Sequence, residues 1–145
     1  MRHQQVNIAE MPVVRMVLKE ATAKIGRLTG VKVLLEVRYV KSDNPDENKI
    51  TLIKIIENVF EQPWAKIISK KRSHALVNAR HAYMYFSTNY LRQTLTATGK
   101  DLGHRDHTTV LHGLNKMKDF FKVGDPVIET INFIKEQLPN EFETN

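Results

Sequence analysis

Gly103-His104-Arg105-Asp106-His107-Thr108-Thr109-Val110-Leu111-His112 is the stretch whose reading decides the fold of this chain. Gly103 is a natural stop for a helix that precedes it. Asp106 is a good cap for the helix that follows, because a short carboxylate accepts from N–H groups that a first turn leaves unpaired. His107, Thr108 and Thr109 place hydrogen-bonding side chains on that first turn. An apolar stripe beginning at Val110 and Leu111 is expected to anchor the rest of the helix in a core. A polar tip on an anchored body is the build of a helix that enters the DNA major groove.

Outward from this run the pattern is helical. Residues 94–102 read as a short helix ending at Gly103, and the next helix runs from the Asp106 cap to about Lys122, so the two form a helix-turn-helix candidate. Upstream, residues 76–91 read as a long helix with Ala79, Ala82, Tyr83, Phe86 and Tyr90 on its inner face. The basic run Ser69-Lys70-Lys71-Arg72-Ser73-His74 is expected to be a loop, preceded by a helical turn around Trp64 to Ile68. Residues 50–61, with Ile50, Ile53, Ile56, Val59 and Phe60 as apolar positions, form a helix that Pro63 stops. Downstream, Asp125-Pro126 combines a cap with a proline suited to a first turn, and opens a last helix to about Leu138. The acidic tail from Pro139 is expected to fray.

The first third reads differently. Val13, Val17, Leu18, Ala21, Ile25 and Leu28 recur at helical spacing over residues 12–29, with Pro12 in the first turn and Thr29-Gly30 as the stop. Residues 31–40 then alternate, with Val31, Val33, Leu35, Val37 and Tyr39 on one face, and are expected to form a strand. Polar Lys41 to Asn48 reads as a linker. The expected fold class is therefore mainly α: a helix-turn-helix domain over residues 49–145 after a small helix-plus-strand segment over residues 1–48. One helix and one strand bury too little surface to fold alone. The strand edge is expected to pair with residues 4–8, with a second copy in a homodimer, or with a protein partner.

Charge sharpens the functional reading. The net charge is +6, but residues 1–62 balance at +2, residues 63–122 at +8 and residues 123–145 at −4. The positive segment is the one that contains the opening run, and such a segment attracts polyanions, nucleic acid foremost. No apolar stretch is long enough to span a bilayer, and no charged-then-apolar leader opens the chain, so no membrane role and a cytoplasmic location are expected. The chain has no cysteine, which excludes disulfides and cysteine-based metal or redox sites. His104, His107 and His112 lack the i, i+4 spacing of a helical ligand pair, so no metal and no cofactor are expected. No nucleophile–base pair, paired-carboxylate site or phosphate-binding Gly-x-x-x-x-Gly-Lys-Ser/Thr loop is present, so the chain is not expected to be an enzyme.

From about Ile50 to Leu138 the sequence resembles, without an obvious gap, the C-terminal DNA-binding domain of the bacterial replication initiator family DnaA. The basic loop at 69–73, Ala79-Arg80, Gly99 and the run 103–112 carry the resemblance, and Arg105 to His112 is its strongest part. It implies an all-helical, Trp-repressor-like helix-turn-helix that binds initiator-type boxes in double-stranded DNA and modulates replication initiation or transcription, without the family's ATPase module. It further implies that Asp106, His107, Thr108 and Thr109 read bases in the major groove, and that Arg72 enters the adjacent minor groove. Arg80 and Arg105 are expected to neutralise phosphates, with backbone groups near Leu95 and Thr96 also meeting phosphate and His112 at the sugar-phosphate edge. Lys70, Lys71 and Lys100 would add unspecific attraction. His81 stands where glutamine is usual, His104 replaces a usual glycine, Thr96 and Ala79 replace common prolines, and His74 and Asn78 stand where arginines are common. These departures bear on affinity and on readout at the flanks of the box. An adaptor, in which residues 1–48 recruit a replication or transcription protein and DNA binding is weak, is the alternative.

Overall fold

Capping chemistry sets where most of the helices begin. In a computed structural model that describes residues 12–35 and 43–138, the chain forms α1 (Pro12–Thr29), α2 (Pro45–Phe60), α3 (Trp64–Ile67), α4 (His74–Asn89), α5 (Leu95–Asp101), α6 (His107–Val123) and α7 (Val127–Gln137). Asn44, Ser73, Thr94 and Asp106 each accept a first-turn N–H through the side chain, closing the starts of α2, α4, α5 and α6. Gly124, in the left-handed conformation, ends α6, with its N–H donating to Phe120 O.

Three expectations need correction. The strand predicted over 31–40 does not form at residues 31–35, and residues 36–40 lie outside the described part. Among the described residues there is no strand at all. Alternation alone does not hold a strand, which needs a ladder partner for its N–H and C=O groups. Second, α2 begins at Pro45, inside the stretch read as linker. Asn44 caps it, proline occupies the first turn, and Asp46 and Glu47 place negative charge at the positive helix end. Third, Leu111 does not start the apolar stripe of α6: it is exposed, and Val110, Gly113 and Met117 are the buried positions.

The chain divides into two compact units, residues 1–38 and 39–145. In the first, α1 carries the expected amphipathic spacing and Gly30 follows it with φ +71°. No residue of α1 is buried. In the second, α4 is the central helix and packs against α2, α3, α5 and α6, while α7 closes on α2 and α6. Ala79, Ala82, Tyr83, Phe86 and Tyr90, the predicted inner face of α4, are all buried. They meet Leu52, Ile55 and Ile56 of α2, Ile67, Leu102, Val110, Met117 and Ile131 in one core. No described helix is long and apolar enough to cross a membrane.

Polar pins fix α5 against α4. Ser87 Oγ and Thr98 Oγ1 lie 2.9 Å apart in the core, so each buried hydroxyl satisfies the other. Tyr83 donates from its hydroxyl to Asp101 Oδ2 at 2.7 Å, and Lys49 donates to Asp101 Oδ1 at 3.2 Å. Burial, then the hydrogen bond to Asp101, pushes the Tyr83 phenol above its ordinary range, so it remains a donor. Gly113 lets α6 approach α4: a Cβ there would lie well under 3.0 Å from Met84 Sδ and 3.2 Å from His81 Cδ2.

Candidate nucleic-acid interface

The turn between α5 and α6 is built on close backbone approach. Arg105 N–H donates to Gly99 O at 2.8 Å, and His104 N–H to Lys100 O at 3.3 Å. Gly103 and His104 both take positive φ, +78° and +60°. A Cβ at Gly103 would press into the carbonyl oxygen of Ile68, so the turn lies directly against the start of the basic loop. This packing fixes the turn that leads into α6.

The tip of α6 is open. His107, Thr108, Thr109 and His112 are all exposed, while Val110 and Gly113 are buried. Asp106 Oδ1 accepts from Thr108 N–H and from the Thr108 hydroxyl, both at 2.8 Å, and His107 Nδ1 lies 3.1 Å away. The backbone bond from Thr108, then its hydroxyl bond, holds the Asp106 carboxyl below its ordinary range, so it is ionised at neutral pH. Capping engages one of its oxygens and Oδ2 remains available to a donor such as a base amino group. Thr108 spends its proton on the cap, whereas Thr109, also exposed, faces the neighbouring groove.

That groove, about 730 Å³, runs between the basic loop, α4 and α6. Lys70, Arg72, His104, Arg105, His112 and Lys116 contribute to its walls, and among the described residues no acidic one does. Arg72 is exposed on the loop. His81, on α4 in the floor, keeps only part of its ring exposed; burial first, then Lys116 and Arg80, lowers its imidazole below the ordinary 6.5, so it is neutral at pH 7. Its buried Nδ1 has no hydrogen-bond partner among the described residues.

Arg80 binds the protein's own backbone. It is buried, and its guanidinium is turned to the loop backbone: Nε donates to Ile67 O at 2.5 Å, and Nη2 to Ser69 O at 2.7 Å and to Lys71 O. Arg80 nevertheless also lines the groove. Burial, then Arg105 and Arg72, lowers its proton affinity, but a guanidinium keeps its charge. Arg105 is half-buried and does similar work, with Nη1 donating to Ile68 O and Leu102 O, and Nη2 to Ser69 O at 2.7 Å. At α5, Thr94 caps Ala97 N–H, Leu95 packs against the core and Thr96 is exposed, so the first-turn N–H groups are at the surface. Lys70, Lys71 and Lys100 are exposed. The residues that sequence reasoning missed are the ones that set distances, Gly113, Ser87 and Thr98. A glycine within a helix that is otherwise well formed was the available signal for the first.

Residues 50–117 match the family described as Bacterial dnaA protein helix-turn-helix. Among curated proteins, the chain is 29% identical over 122 residues to the chromosomal replication initiator protein DnaA of Streptococcus thermophilus, covering 80% of this chain and 27% of that protein. It is 33% identical over 131 residues to the DnaA of Lachnoclostridium phytofermentans, covering 83% and 29%. It is 26% identical over 119 residues to the DnaA of Wolbachia pipientis wMel, covering 81% and 26%. The chain thus spans between a quarter and three-tenths of the length of these relatives. No solved structure matches.

Proposed function

We propose a function from the premise that this chain carries a bacterial DnaA-type, DNA-binding helix-turn-helix domain. In this reading it recognises an initiator-type box in double-stranded DNA and acts there on replication initiation or transcription. The observation that carries the reading is the shared face: the exposed tip of α6 and the basic loop border one groove with no acidic side chain among the described residues of its walls. A duplex laid along this face would receive α6 in its major groove and Arg72 in the minor groove alongside, where narrow A·T-rich DNA concentrates negative potential.

The roles divide by chemistry. His107, Thr109 and the free oxygen of Asp106 read base edges, and the Thr109 methyl suits thymine. Thr108 fixes Asp106 rather than reading independently. His112, Lys116 and the α5 start at Leu95 and Thr96 are assigned to backbone phosphates in this reading, and phosphate contacts set register without reading sequence. We assign no catalysis to the chain.

The test is a comparison of a duplex bearing an initiator-type box with a scrambled duplex of equal length, at one stated salt concentration. The box is expected to bind more tightly, and Arg72→Ala and Thr109→Ala are each expected to weaken specific binding by about 1–3 kcal/mol. Equal binding of the two duplexes would refute sequence-specific reading. A second role is favoured by α1, whose Val13, Met16, Val17 and Leu28 are exposed. We propose that residues 1–48 dock a second copy or a protein partner through this stripe. Sedimentation of the full chain and of Val17→Glu would show it as a lost assembly with box binding intact.

A further inference from the structure

We propose that Arg80 and Arg105 are positioning residues that clamp the basic loop onto the helix-turn-helix, and so set where Arg72 enters DNA relative to α6. The proposal rests on the DNA-binding reading above. The two guanidinia come from different elements, Arg80 from α4 and Arg105 from the turn before α6. Both converge on the same carbonyl, Ser69 O, each donating through Nη2 at 2.7 Å. On either side of it Arg80 holds Ile67 O and Lys71 O, and Arg105 holds Ile68 O. Successive carbonyls from 67 to 69, and that of Lys71 next to Arg72, are thereby tied to the two arginines.

Such a loop needs tying. It has no regular secondary structure, and a free loop of this length samples many conformations at a cost of about 1–2 kcal/mol per residue to order. Its carbonyls accept from charged donors, which bind more strongly than neutral ones. Gly103, whose missing Cβ leaves room for Ile68 O, completes the contact on the turn side. Like charges are brought together here, since Arg72 lies close enough to both arginines to disfavour their charged forms. A structural staple could have been built more cheaply with neutral donors. A staple of arginines also adds positive potential beneath the phosphates that the loop is to meet.

A lysine in place of arginine keeps the charge but offers a compact ammonium that cannot span these carbonyls in a planar fork. Arg80→Lys therefore separates positioning from electrostatics. The full chain would be titrated with duplexes that share one box but carry A·T-rich or G·C-rich flanks, and with duplexes altered at a core base pair. The wild type is expected to favour the A·T flank, and Arg72→Ala to remove that preference, a change on the order of tenfold. Arg80→Lys should reduce the flank preference as far as Arg72→Ala does, the double variant should add nothing, and discrimination at the core base pair should persist. Arg105→Lys serves as the second variant should Arg80→Lys fail to fold, which circular dichroism would reveal. A flank preference that survives in both lysine variants, or effects of Arg80→Lys and Arg72→Ala that simply add, would overturn the clamp while leaving box recognition standing. Loss of box-over-scrambled preference in the wild type would overturn both.

Discussion

Gly99→Ala is the sharpest test of how the helix-turn-helix is held. Position 99 is buried inside α5, where helix propensity alone favours alanine by about 1 kcal/mol. Packing works in the other direction. A Cβ there would lie well under 3.0 Å from the carbonyl oxygen of Arg105, 3.1 Å from its carbonyl carbon and 3.5 Å from Val110 Cγ2. The oxygen is backbone, so it can withdraw only by opening the turn that Arg105 N–H closes onto Gly99 O. Overpacking of this kind costs about 1–3 kcal/mol. The strained hydrogen bond is worth about 1 kcal/mol more. The opposing terms leave a net destabilisation of about 1–3 kcal/mol. Urea unfolding of the full chain should show a lower midpoint at unchanged slope, which marks a change in stability rather than in the transition. Gly124→Ala is the control, because Gly124 has φ +65° and nothing within 4 Å of a new Cβ, so it should show only the left-handed backbone cost of about 1–2 kcal/mol. Gly99→Ala should also weaken box binding, since Arg105 would shift with the turn, whereas Gly124→Ala should not. A Gly99→Ala variant as stable as the wild type, or more so, would refute the close-approach argument and leave propensity as the only term.

Three further outcomes are expected. His104→Gly should raise stability by about 1 kcal/mol, read as an increased unfolding midpoint, because His104 holds φ +60° with a side chain that disfavours it. His81 has a lowered folded pKa, so the unfolded chain binds its proton first on acidification. Stability should therefore be fully present above about pH 6.5 and fall as pH drops below it, with a slope of at most about 1.4 kcal/mol per pH unit from this group, and His81→Gln should flatten that part of the profile. Finally, box affinity should fall steeply with salt, and Lys70→Ala should weaken binding to all duplexes alike while making the logarithmic salt slope shallower by about one.

Much of the site was legible because it depends on local rules. Asp106 as a cap, Gly103 as a stop and the alternation of exposed His107–Thr109 with buried Val110 follow from helix geometry. So does the inner face of α4. Other features depend on tertiary neighbours. The family resemblance implied a phosphate role for Arg80. Its spacing from Leu76, Tyr83 and Ser87, all buried, shows that it belongs to the inner face, yet only packing shows which carbonyls it meets. The start of α2 was open to reading, since Asn44-Pro45-Asp46-Glu47 carries a cap, a first-turn proline and two acids, but its polarity suggested a linker. At residues 31–35 period-two alternation pointed to a strand, which no local rule can supply with a partner.

The helix at the tip of this domain divides its own positions into two sets that do not overlap. Val110, Gly113 and Met117 lock α6 to the rest, while His107, Thr109 and His112 face outward and take no part in the core. Exchanges at exposed positions away from caps and packing usually alter stability by no more than about 0.5 kcal/mol. On the proposed reading, the preferred DNA word could thus be rewritten residue by residue while the scaffold stays folded, so descendants of one such domain could diverge to different addresses without first losing the ability to bind.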